Sequence, residues 1–120
     1  MAPTLHVCVT CRCGAPPAVE EAVRDGQRLF DDLTAVAASS GLRLRPVECL
    51  ANCARGCSAA ISMPGKWSYL LGGLSPALAA DLAAYAAAYA ESRTGTVMPS
   101  RRAASLRGMI VGRIPSELSA

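Results

Sequence analysis

The spacing of apolar residues changes period repeatedly along the chain, and each change marks a predicted element. Leu5 to Val9 is a short β-prone run with Val7 and Val9 on one face and His6 and Cys8 on the other, which predicts a first strand. Cys11 to Pro17, rich in Cys, Gly and Pro, breaks regular structure and predicts a loop. From Ala18 to about Ser39, the residues Val19, Val23, Gly26, Phe30, Leu33 and Ala37 recur at the spacing of one helical face. Pro16 and Pro17 precede this helix, Ser39-Ser40-Gly41 ends it, and Glu20, Arg24, Gln27, Arg28 and Asp31 form its solvated side. Leu42, Leu44 and Pro46 then alternate with Arg43, Arg45 and Val47, a second strand with one largely polar side. A strand, a helix and a strand in succession predict a parallel pair joined by a right-handed crossover.

Beyond the next cysteine-rich loop, Ser58 to Ser62 and Trp67 to Leu71 are β-prone runs joined by Met63-Pro64-Gly65-Lys66, a turn sequence that predicts a hairpin. Ser75-Pro76 supplies an N-cap and a first-turn proline for a second helix extending to about Glu91, with Leu78, Leu82, Tyr85 and Tyr89 on its buried stripe. The order βαβ then ββα predicts an α/β domain of thioredoxin-like type, a mixed sheet flanked by helices over residues 1–91. Residues 92–120 read as a C-terminal extension, mostly irregular, with one apolar run at Met109-Ile110-Val111.

At 120 residues there is room for one such domain. Much of the 52% hydrophobic content is alanine and only 4% of residues are aromatic, so the helices should pack close to the sheet. A net charge of +3 is too small to mark a nucleic-acid binder. Arginines at 93, 101, 102, 107 and 113 concentrate some charge near the C-terminus; they can dock an acidic partner, but a solvated arm explains them equally well. No secretory signal opens the chain, and the longest apolar stretch, Leu82 to Ala90, is far short of the roughly 20 residues of a membrane helix. The expectation is therefore a soluble, cytoplasmic protein with no membrane contact, in a compartment where six cysteines imply metal or thiol chemistry over structural disulfides.

The cysteines form two groups, Cys8/Cys11/Cys13 after the first strand and Cys49/Cys53/Cys57 after the second. In a βαβ unit both positions fall at the same carboxyl edge of the sheet, so sequence-distant groups converge. Soft thiolates select zinc, copper(I) or iron-sulfur clusters, and one cysteine pair from each loop supplies the four ligands of a [2Fe-2S] cluster. The same four thiolates also suit a structural zinc site. Six thiols where four suffice admit a metallochaperone that exchanges its metal with a partner. Cys8-Val9-Thr10-Cys11 is a C-x-x-C phrase, but the prolines at 16 and 17 separate it from the helix whose N-terminus would activate a redox thiol, which disfavours a thiol-disulfide oxidoreductase. His6, beside Cys8, reads as a structural histidine, and Arg12 and Arg55 as solvated cations that can offset cluster charge or meet a partner. No catalytic constellation is visible, so the expectation is not an enzyme.

The phrase VECLANC, Val47 to Cys53, resembles the second ligand pair of the thioredoxin-like [2Fe-2S] ferredoxins, including Shethna-type proteins and the small peripheral subunit of respiratory complex I. Nearly the whole chain, with CVTCR, CLANCARGC, PGKWSYLLGGL and the terminal GRIP phrase, is similar to an uncharacterised bacterial family of predicted metal-binding proteins often encoded with cobalamin-biosynthesis genes. The resemblance implies a cluster held by Cys8, Cys11, Cys49 and Cys53. Cys11 is preferred to Cys13 because CVTCR matches the closer family, and Cys57 is left as a spare thiol or a small buried hydrophobe. It further implies a one-electron carrier serving a redox partner protein, such as a cobalamin-pathway enzyme that reduces cobalt, and leaves a homodimer open.

Overall fold

The computed structural model describes residues 3–9, 25–37, 42–48, 50, 57–98, 101–106 and 108–115. Five strands form one mixed sheet in the order β2-β1-β3-β4-β5. In chain order they are β1 (Thr4–Cys8), β2 (Arg43–Val47), β3 (Cys57–Ser62), β4 (Ser68–Leu74) and β5 (Ile110–Ile114). Helix α1 (Asp25–Ala37) joins β1 to β2, and α2 (Ala79–Glu91) follows β4 after a single 3-10 turn, Pro76–Leu78. β1 and β2 run parallel and every other neighbouring pair antiparallel.

Alternation along the strands decides which face is buried. Leu5, Val7, Ala59, Ile61, Tyr69 and Leu71 share one face through the registers Leu5↔Ile61, Val7↔Ala59, Ala59↔Leu71 and Ile61↔Tyr69. Leu29 and Leu33 of α1 and Leu82, Tyr85, Ala86 and Tyr89 of α2 join them in one core cluster. Both helices thus cover the same face, giving two layers.

On α1 the buried line is Gly26, Leu29, Leu33 and Ala37. Leu29 is fully buried, whereas Phe30, the residue expected on that line, is half-buried beside the core. Three- and four-residue steps from Leu33 reach both positions, and only the docking of the helix chooses between them. The part of the expected helix before Asp25 lies outside the described residues. On α2, alanines at 79, 83 and 86 complete the buried stripe and let the helix lie close to the strands. The Lys66 ammonium, from the β3–β4 turn, donates to the carbonyls of Tyr89 and Ala90 and so caps the end of α2.

The segment expected to be a mostly irregular extension is partly ordered into the sheet. Gly72 N–H donates to the Met109 carbonyl at 2.8 Å, and β5 then pairs with β4. Val97, Leu106 and Met109 are buried in the main cluster. The apolar run at 109–111 signalled this strand, but three residues are too few to reveal a fifth strand without its neighbour.

Tyr89 locks this end of the molecule. Its hydroxyl donates to the Trp67 carbonyl at 2.6 Å, and its ring meets Tyr69 edge-on at 6.3 Å. Gly95, at φ +88°, passes so close that a Cβ there would lie 2.7 Å from the Tyr89 ring, so both backbone conformation and space require glycine. Burial, with Tyr69 adding to it, pushes the Tyr89 pKa up to about 12. Tyr85 is raised for the same leading reason. Because the folded pKa exceeds the unfolded value, this stabilisation is complete below pH 10 and is lost as pH rises through about 12. Tyrosinate absorbance and loss of helical circular dichroism should therefore appear together in that window. Tyr89→Phe should move the onset to higher pH while costing about 1 kcal/mol near neutrality.

Candidate metal centre

Parallel strands end at one edge of a sheet, so the segments following β1 and β2 begin side by side. The register Cys8↔Val47 makes the two strands end level, and Val9 N–H donating to the Val47 carbonyl at 2.9 Å extends the ladder one residue further. The Cys8 thiol donates to the carbonyl of Glu48 at 3.4 Å, across a separation of 40 residues. Glu48 immediately precedes Cys49 in the chain. Cys8 is thereby anchored next to the start of the second cysteine group.

β3 runs antiparallel to β1, so its first residue belongs to the same edge. That residue is Cys57. It lies two positions before Ala59, on the face of Val7, and is fully buried in the core cluster. Cys8 alternates to the opposite face and is also buried. The two described cysteines therefore approach one edge of the sheet from its two faces.

The burial of Cys57 agrees with a small core hydrophobe, but the alternative of a spare thiol does not hold, because Cys57 is disulfide-bonded. A bridged sulfur is not a thiolate and must be reduced before it can bind a metal. Of the other expected ligands, Cys11, Cys49 and Cys53 lie outside the described residues, as does Cys13. Among the described residues no three His, Cys, Asp or Glu side chains gather as a metal cage.

The chemistry of the described donor fits a soft metal. Cys8 is a buried sulfur at a strand end, held in register with Val47 of β2. Its thiol proton must leave on metal binding, and the hydrogen bond to Glu48 leaves with it. Ser58 is also buried, and alternation from Ala59 puts it on the face of Cys8. A hydroxyl there can donate to a thiolate sulfur. Nothing in the sequence singles out this serine until burial and strand alternation place it on that face.

His6 shares that face and is paired in register with Arg45. Partial burial, followed by the Arg45 charge, lowers its pKa from the ordinary histidine value, so the imidazole is neutral near neutral pH. No helix among the described residues is long and apolar enough to cross a membrane.

Comparison with known proteins adds a family and a fold. A family model described as "Protein of unknown function (DUF1636)" matches residues 5–116. A solved structure described as a thioredoxin-like [2Fe-2S] ferredoxin from Aquifex aeolicus superposes with a TM-score of 0.56, covering 93% of this chain and 92% of that one at 13% identity. Curated proteins yield no match. The fold is thus thioredoxin-like, as the element order predicts.

Proposed function

We propose that this chain, which belongs to the family of unknown function DUF1636, is a one-electron carrier whose cysteines hold a [2Fe-2S] cluster. The observation that carries the reading is the contact between the Cys8 thiol and the Glu48 carbonyl, because it joins the ends of the two cysteine-bearing segments. The similarity to a [2Fe-2S] ferredoxin over nearly the full length of both chains supports the same reading through the fold. Cys8, Cys11, Cys49 and Cys53 would be the ligands, two from each segment. Bound there, the cluster would supply a single-electron couple. The protein's part would be to hold Cys8 at the level ends of β1 and β2 and to bury it from water. The whole-chain resemblance extends the proposal to a supporting redox step in cobalamin synthesis, such as cobalt reduction.

The test is reconstitution. The protein is first treated with a thiol reductant, which frees the Cys57 sulfur, then given iron and sulfide without oxygen. The expected product absorbs in the visible, contains iron and inorganic sulfide in equal amounts, and shows an electron paramagnetic resonance signal after dithionite. A colourless product, or one that retains only stoichiometric zinc, would overturn the reading.

A further inference from the structure

The face of the sheet opposite the helices carries an uneven charge. Two rows of residues cross it, fixed by strand register. One is Arg45, His6, Ala60, Leu70 and Gly112; the other is Arg43, Thr4, Ser62, Ser68 and Ile114. Neither contains a carboxylate. Arg43 and Arg45 are both exposed. The described carboxylates lie elsewhere: Asp31 and Asp32 on α1, Asp81 and Glu91 on α2, and Glu48 just past β2. The helices pack on the other face, so four of these five are separated from the two rows by the thickness of the sheet.

The charge bias continues toward the metal edge. Arg45 lies two residues before Val47, the partner of Cys8, so about 7 Å along the strand separates it from that edge. By sequence, the loops bearing the remaining cysteines, 10–17 and 49–56, contain Arg12 and Arg55 and no Asp or Glu. Among the described residues of β1 and β2 and their ends, Glu48 is the sole acid, beside Arg43 and Arg45.

We infer that the sheet face opposite the helices, led by the exposed Arg43 and Arg45, is the docking surface for a redox partner protein with an acidic face. This inference rests on the electron-carrier reading and adds the chemistry of the partner. An arginine patch beside a redox centre steers an acidic protein into contact with that centre, which raises the association rate and makes it fall with salt. The half-buried Leu70 and the exposed Ile114 supply apolar contact further along the same face.

The test uses the reconstituted, reduced protein and two purified acceptors of opposite charge: plastocyanin, an acidic copper protein, and cytochrome c, a basic haem protein. One electron leaves the reduced protein, and Cu(II) becomes Cu(I) or ferric haem becomes ferrous. At low ionic strength, reduction of plastocyanin should be fast and should slow as salt is added. Arg43→Glu combined with Arg45→Glu should slow it about tenfold and speed the reaction with cytochrome c. Arg93→Glu combined with Arg101→Glu changes net charge equally at exposed positions away from the face, and should leave both rates within about twofold. The milder pair Arg43→Gln and Arg45→Gln should give an intermediate slowing, which covers the case in which charge reversal disturbs the edge strand. Equal slowing by both reversed pairs would show that net charge alone acts and would overturn the docking face. Indifference to Arg43 and Arg45 would also overturn it. A protein that stays colourless fails earlier and visibly, at the electron-carrier reading, and takes this inference with it.

Discussion

Cys49→Ser and Cys53→Ser should each leave the reconstituted protein colourless, with loss of essentially all visible absorbance. Cys8→Ser should do the same, because Cys8 is the ligand candidate whose position at the end of β1, in register with β2, is on view. A serine hydroxyl resists deprotonation and is a poor ligand for iron in a site built for soft donors. Cys11→Ser should also lose the cluster, whereas Cys13→Ser and Cys57→Ser should keep it. Optical spectra and iron content of the six single variants check this directly. Loss in Cys13→Ser with retention in Cys11→Ser would move the fourth ligand to Cys13. Retention in Cys49→Ser and Cys53→Ser would remove the metal-centre assignment altogether. The Cys57 variant has a second use: it cannot form the disulfide, so it should reconstitute without prior reduction if that bridge is what blocks loading.

The largest expected loss of stability is in Tyr89→Ala. Tyr89 is fully buried, its ring packs on Tyr69, and its hydroxyl holds the backbone at the entrance to β4. Truncating a buried aromatic to alanine costs about 3–5 kcal/mol, a large part of the stability of a domain this small. Denaturant unfolding followed by circular dichroism measures it. Because Gly95 packs against the same ring, Gly95→Ala should also be destabilising in the parent, through both its positive φ and its contact with Tyr89. In the Tyr89→Ala background only the φ strain of about 1–2 kcal/mol should remain. Additive losses for the two changes would show that the close approach contributes nothing.

Much of the fold follows from local pattern. The β1, β2, β3 and β4 runs, the Pro-Gly hairpin turn and the α2 stripe of Leu82, Tyr85 and Tyr89 were all visible as changes of period or as turn chemistry. What stayed hidden was non-local. Leu29 replaces Phe30 on the core line because docking against the sheet rotates α1 to present it. β5 exists because β4 offers it a pairing edge, and an apolar triplet at 109–111 cannot announce that edge. The Lys66 cap on α2 joins residues more than twenty positions apart, and no helix-end rule applied along the chain finds it.

The candidate site divides along the same line. Residue type and spacing by themselves determine that six cysteines stand in two groups, that each group follows a strand, and that a metal suited to them is a soft one. Parallel pairing, itself inferred from the βαβ order, even predicts that the groups meet. The tertiary structure decides the rest: the contact of Cys8 with Glu48, the arrival of Cys57 at the same edge through an antiparallel strand, and the approach of the two from opposite faces. Ser58 and the arginine rows likewise become meaningful only once register aligns them across strands. Periodicity is a property of neighbours in sequence, whereas a metal edge or a charged face is made by neighbours in space, and it is strand pairing that converts one into the other.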